Sequence, residues 1–209
     1  MATSKKAYSA IAVIFFILLT DQMIKIWVKT HMALGDEIEV TKWFYIRFIE
    51  NKGMAMGIEV FGKLFLTVFR IVTSIAIAFY IYKLIRSKAS LGYILLISMI
   101  FAGAVGNILD SVFYGIVFNE STPIHVAVLF PPEGGYGSWL QGEVVDMFYF
   151  PIFHFRWPAW IPWIGGSNFE FFRYIFNLAD ASISVGIIVL LLFFRKTLSL
   201  SFEKKEIEN

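Results

Sequence analysis

Two acids stand in a chain that is otherwise strongly apolar. Asp180 follows Phe176-Asn177-Leu178-Ala179 at the opening of an apolar stretch that runs to Phe194, and Asp146 ends the run Val144-Val145-Asp146. Inserting an Asp near a bilayer centre costs roughly 2.5–3.5 kcal/mol on translocon scales, so an intramembrane carboxylate usually faces a polar cavity and marks a working site. Two carboxyls secluded about 3 Å apart cannot both ionise near neutral pH. One then stays anionic as a base and the other keeps a proton to donate, which is the equipment of an aspartic hydrolase.

Elements that would position these acids are legible from composition. The chain has 209 residues, of which 58% are hydrophobic and 16% charged, and a mean hydropathy of +0.69. Soluble domains carry about a quarter charged residues, so this is a membrane protein. Apolar windows near the ~20 residues needed to cross a ~30 Å hydrocarbon core fall at about 8–28, 62–84, 89–110 and 171–194. They predict a mainly α membrane protein of four transmembrane helices forming one domain. Lys5 and Lys6 before the first window imitate a signal peptide, but no small-residue cleavage site follows, and the segment reads as an uncleaved first span.

Four spans put both termini on one side. Lys5 and Lys6, then Lys83, Arg86 and Lys88, then Arg195, Lys196, Lys204 and Lys205 all fall there, and the positive-inside rule makes it cytoplasmic. The connections at about 29–61 and 111–170 then face outward, and 195–209 forms a charged tail that is expected to fray. Strand-like residues crowd Glu39 to Ile49 and Val144 to Phe150, predicting a small outer β-sheet. The six tryptophans, at 27, 43, 139, 157, 160 and 163, all lie outside the cytoplasmic half. They suggest an aromatic belt at the outer interface, the alternative being rings that simply pack a loop together.

Placed by depth, the polar residues converge on one outer layer: Asp21 and Lys25 in span one, Asn107 and Asp110 in span three, Asn177 and Asp180 in span four. The spacings are i,i+4, i,i+3 and i,i+3, so each pair shares a helix face. For Asp21 and Lys25 alone, a structural ion pair that anchors the helix end explains the spacing as well. Other chemistries find little support. There is no cysteine for thiol catalysis or disulfides, and His31, His125 and His154 show no zinc spacing. Gly165-Gly166-Ser167 lies in an aromatic loop with no histidine on a following span, and Asn119-Glu120-Ser121 matches a glycosylation acceptor by a pattern short enough for chance. A net charge of +2 without a basic stripe gives no reason to expect nucleic acid.

Taken together, the blocks resemble the bacterial lipoprotein signal peptidases, or signal peptidase II. They are Asp21 with Lys25; Asn51-Lys52-Gly53-Met54-Ala55-Met56-Gly57, similar to the family's N-x-G-x-A-F-G turn with Met56 for Phe; Gly103-Ala104-Val105-Gly106-Asn107-Ile108-Leu109-Asp110; Val144-Val145-Asp146; and Phe176-Asn177-Leu178-Ala179-Asp180. The resemblance implies a catalytic pair Asp146 and Asp180, with Asn107 and Asn177 close by, hydrogen-bonding either the acids or a developing oxyanion. It implies that Asn51 contacts substrate and that Gly53, Asp110, Ala179, Asp21 and Lys25 bind substrate or support the site. Its implied substrates are prolipoproteins with a diacylglyceryl-modified cysteine, met in the bacterial inner membrane among membrane lipids, without cofactor or metal, and open to globomycin-type inhibitors. Three departures stand out: Ser111 where the family usually has arginine, a long segment between Asp110 and Val144, and an aromatic segment at about 151–172 between the two acids. That last segment, broken by Pro158 and Pro162, is expected to be a folded loop on the membrane surface beside the substrate entrance.

Two rival readings belong to other classes. A small transporter or ion pathway would also carry intramembrane Asp and Lys, but it needs a polar route through the inner halves of the spans, which hold almost no polar side chains. A structural subunit that binds lipid would leave the acids without a role.

Overall fold

The computed structural model describes residues 3–51 and 62–199; Gly53 and the rest of its turn from Lys52 lie outside the described residues. Among the described residues three helices are long and apolar enough to cross a membrane: α1 (Thr3–His31), α2 (Lys63–Arg86) and α3 (Leu91–Leu109), which continues through a π-helical turn (Asp110–Tyr114) and a short α4 (Gly115–Val117). The fourth, α5 (Leu178–Phe193), has 16 residues, or about 24 Å of helix. That falls short of the hydrocarbon core.

The expected span at 171–194 is therefore corrected at its start. Ile175 and Phe176 pair with Tyr149 and Phe148 as a strand, because β-branched and aromatic residues fit a pleated surface. Asn177, at φ −116 and ψ 179, then caps α5 by accepting from the Asp180 backbone N–H at 2.8 Å.

The helices are inverted relative to a soluble bundle. Along α1 the buried side is Asp21, Lys25, Val28 and Lys29, at helical spacing, while Phe15, Phe16, Leu19, Met23 and Trp27 are exposed. α2 likewise exposes Leu64, Phe65, Val68, Phe69, Val72, Ile75 and Phe79. Apolar-out and polar-in is what a lipid solvent dictates. α3 lies at the centre and packs against α1, α2 and α5. The approaches of α3 to α5 and to α1 depend on small residues: a Cβ on Gly103 would meet the Ala179 carbonyl of α5 at 2.3 Å, and one on Gly106 would meet Asp21 Oδ2 of α1 at 2.8 Å. At the far end of the bundle, Lys6 Nζ donates to Ser87 O at 2.9 Å, so the start of α1 meets the α2–α3 connection.

Over the opposite end lies an antiparallel sheet of order β1-β2-β3-β6, comprising β1 (Glu37–Thr41), β2 (Phe44–Asn51), β3 (Val144–Tyr149) and β6 (Ile175–Phe176). The β2–β3 register runs from Ile46↔Phe148 to Ile49↔Asp146, which leaves one extra residue on β2. This bulge decides which side chain meets the acid. Beyond it Asn51 shares the face of Asp146, whereas an unbroken pleat would have presented Glu50. The other face, with Phe48, Val145 and Met147, packs with Val28, Met32, Tyr114 and Phe118 in a buried cluster.

The aromatic segment between the acids is a two-stranded ribbon, β4 (Phe153–Arg156) with β5 (Asn168–Phe171). Phe153↔Phe171 and Phe155↔Phe169 lie on one face, His154↔Glu170 and Arg156↔Asn168 on the other. The expected folded loop is only its tip, where Trp160 and Trp163 stand 81% and 103% exposed.

Candidate active site

Asp146 sits in the middle of β3 and is 2% exposed; Asp180 lies in the first turn of α5 and is half-buried. Asn177 connects them. Its Nδ2 donates to Asp146 Oδ1 at 2.7 Å, and its Oδ1 accepts from the Asp180 backbone N–H at 2.8 Å. A backbone N–H can only donate, so the capping bond fixes which end of the Asn177 amide faces Asp146. The Asn107 amide is fixed by the same logic. Lys25 Nζ, a donor without acceptor capacity, holds Asn107 Oδ1 at 2.9 Å, which leaves Asn107 Nδ2 to donate to Asp180 Oδ1 at 2.7 Å. Asn51 Nδ2 reaches the second oxygen of Asp146 at 3.2 Å. Each acid thus has a donor oriented on it.

Behind this layer lies a buried ionic cluster. Lys25, 0% exposed, bridges Asp21 at 2.9 Å and Asp110 at 2.8 Å. Gln22 Nε2 donates to Asp110 Oδ1 at 2.9 Å and accepts at Oε1 from the Tyr114 hydroxyl at 3.1 Å. Desolvating three charges is costly, and their attraction compensates only when the remaining lone pairs are satisfied. Here backbone satisfies them. Ala179 N–H donates to Asp21 Oδ1 at 3.0 Å and Val145 N–H to Asp110 Oδ2 at 3.3 Å. The residue immediately before each candidate acid is therefore tied to one of the two carboxylates that Lys25 neutralises.

Burial pushes the Asp146 carboxyl up to about 7, the charge of Asp180 adds to the rise, and Asn51, Lys25 and Asn177 pull against it. A carboxyl so placed holds its proton near neutral pH beside a second carboxylate. Proton donation by one and abstraction by the other is the chemistry this arrangement can perform.

The comparisons bear on what that chemistry serves. Residues 13–196 match the model of the family described as signal peptidase (SPase) II. The chain belongs to the signal peptidase II family. It is 49% identical to the lipoprotein signal peptidase of Porphyromonas gingivalis over 199 residues, covering 93% of this chain and 86% of that protein. It is 31% identical to that of Amoebophilus asiaticus, covering 97% and 84%. Two solved structures titled as bacterial membrane enzymes share the fold: one at TM-score 0.59 and 24% identity, covering 90% of this chain and 88% of the other, and one at 0.57 and 28%, covering 88% and 90%.

Of the residues singled out from the sequence, Asp21, Lys25, Asn51, Asn107, Asp110, Asp146, Asn177, Ala179 and Asp180 all meet in this one network. Lys25 is more than a helix anchor, because it orients Asn107. Ser111, which follows Asp110 where the resemblance leads one to expect arginine, is buried and donates to Asn107 O at 3.0 Å. Sequence reasoning missed Gln22, Lys29, Glu50 and Ser121. Gln22 and Lys29 were discoverable, as polar residues on the Asp21/Lys25 stripe of an apolar span; Glu50 and Ser121 carry no such signal. Within Asn119-Glu120-Ser121, Asn119 Oδ1 accepts from Val128 N at 2.6 Å, Glu120 is exposed and Ser121 is buried.

Proposed function

We propose that this protein is a membrane aspartic endopeptidase that removes the signal peptide from prolipoproteins, cleaving before a diacylglyceryl-modified cysteine. The observation that carries the reading is the pair of acids from separate elements, Asp146 and Asp180, joined through Asn177 and each given an oriented amide donor. Family membership supports the peptidase, and it disfavours the rival reading of a transporter or ion pathway.

In the proposed mechanism Asp146, the acid whose proton burial retains, donates a hydrogen bond to the scissile carbonyl oxygen. Asp180, as the anion, takes a proton from a water whose oxygen attacks the carbonyl carbon. The tetrahedral intermediate then collapses: the C–N bond breaks as Asp180 passes the proton it took from water to the leaving cysteine nitrogen, and the signal peptide leaves with a new carboxyl group that loses its proton to water. No covalent acyl-enzyme forms. The amides of Asn107, Asn177 and Asn51 keep both carboxyls aimed through the cycle, and the Lys25 cluster holds the backbone before each acid. Fixed donors of this kind cost no reorganisation at the moment of reaction. Positive residues at the opposite end support a cytoplasmic location for both termini, with the acids near the outer leaflet, where a membrane-inserted signal peptide presents its cleavage site.

The test is cleavage by the purified protein in lipid. A precursor bearing the diacylglyceryl group should release its signal peptide, and the same precursor without the modification should be cut at least about tenfold more slowly. Equal cleavage of both would remove the lipid-modified substrate from the account, and cleavage of neither would remove the peptidase.

A further inference from the structure

A second buried charge lies beside the acid pair and outside the chemistry above. The Lys29 ammonium, 0% exposed, is ringed by Phe118 at 5.3 Å, Tyr136 at 5.1 Å and Phe48 at 5.9 Å. Its polar partners are the Glu50 carboxylate and the Ser121 hydroxyl, the latter at 2.8 Å, and Ser121 also donates to Glu50 at 3.3 Å. Three parts of the chain meet there: α1 supplies the lysine, β2 supplies Phe48 and Glu50, and the long segment between α4 and β3 supplies Phe118, Ser121 and Tyr136. Desolvating an ammonium and a carboxylate is a heavy cost for a contact that only packs a loop.

What the contact touches next gives it a use. Glu50 immediately precedes Asn51, the last residue of β2, and strand alternation turns the two side chains to opposite faces. Glu50 is pinned to Lys29 and Ser121 on the core face; Asn51 reaches Asp146 Oδ2 on the site face. Any slip or twist of this strand end that released Glu50 would also move the Asn51 amide. We propose that Lys29, Glu50 and Ser121 form a positioning device through which the segment 118–143 holds Asn51 on Asp146. None of the three reaches the reacting atoms. Their effect on the reaction passes through the Asn51 amide alone.

The inference rests on the peptidase reading, and its test separates the two, because the variants are compared only after the wild-type protein has cleaved the modified precursor in the assay above. The groups acting on Asp146 are Asp180 of α5, Asn177 before it, Lys25 of α1 and Asn51 of β2. Asn51 donates to the carboxylate and so favours the anion; releasing it raises the proton affinity of Asp146. Ser121→Ala, Glu50→Gln and the double change Lys29→Met with Glu50→Gln, which leaves no charge in the ring cage, would be assayed for kcat/KM against pH with thermal unfolding alongside.

Each variant that folds should move the alkaline limb of the profile upward by about one unit, the scale of one lost hydrogen bond to a carboxylate, and should lower kcat more than it changes KM. Asn51→Ala should give the same shift. Combined with Glu50→Gln it should give no more, since both act through one bond. Shifts that add in the combined variant would overturn the proposal. So would folded Ser121→Ala and Lys29→Met/Glu50→Gln proteins with the wild-type profile.

Discussion

In the proposed mechanism Asp146 carries the protonation state on which the acid–base division depends, and its burial sets two pH effects that run in the same direction. Its carboxyl, raised to about 7, must keep its proton to donate to the substrate carbonyl, so kcat/KM should fall on the alkaline side with a midpoint of about 7. Stability follows with a sign fixed by linkage. The folded state binds this proton more tightly than the unfolded chain, so the contribution of Asp146 is fully present below the ordinary carboxylate range and is lost as pH rises through about 7. Asp146→Asn should therefore melt higher than the wild type at pH 8 and at the same temperature near pH 3; a variant that melts lower at pH 8 would contradict the assigned burial cost. Lys25 tests the opposite case. Lys25→Met leaves Asp21 and Asp110 buried without their cation, which should cost about 3–5 kcal/mol, visible as a large fall in thermal midpoint. An unchanged midpoint would mean that the cluster is not the buried unit described above. At this scale the sequence was most informative, because Asp21, Lys25, Asn107, Asp110, Asn177 and Asp180 are polar residues placed against an apolar background. Glu50 was not legible, since a charge in a strand is ordinary until its face is known.

Elements follow from residues where periodicity is strong and fail to where pairing is non-local. α1, α2 and α3 could be read because runs of apolar residues of spanning length have one explanation in a membrane. The start of α5 could not, because the apolar rings of Phe171, Phe172 and Phe176 run up to the helix with a single charge, Arg173, among them, and only pairing with β3 separates the two. The ribbon was missed for the same reason: prolines argued correctly against a helix, but the register of Phe153 with Phe171 spans a tip that no local signal specifies. Gly103 offers a test of the helix packing. Gly103→Ala would drive its Cβ onto the Ala179 carbonyl and push away the helix that carries Asp180, so activity should drop at least about tenfold; wild-type activity would show that the approach is not needed. The ribbon tip has its own readout. Trp157 packs edge-on against Phe155 and Phe169 at 4.8 and 5.9 Å, while Trp160 and Trp163 project freely. Replacing only those two with alanine should raise KM more than it lowers kcat, since rings at the headgroup level would bind ground and transition states alike. A loss of kcat at constant KM would make the tip part of the catalytic apparatus.

For the whole molecule, an apolar exterior, a polar interior seam and a sheet across one end form one solution to a single problem. A lipid solvent drives polar side chains inward and leaves Phe, Leu and Ile outside, so α1, α3 and α5 bury their polar faces against one another and thereby assemble the site. The sheet adds Asp146 and Asn51 from outside the spans, and its bulge turns the correct side chain toward the acid. The long segment between Asp110 and Val144 remained opaque in the sequence because its role lies in distant contacts, those of Ser121 and Tyr136 with Lys29 among them. The claim on which the rest depends is that Asp146 and Asp180 act as one acid–base pair. Asp146→Asn and Asp180→Asn, purified in lipid with their folds verified, should each cleave a diacylglyceryl-modified precursor slower than wild type by several powers of ten; more than a few per cent of wild-type cleavage by either would contradict the pair.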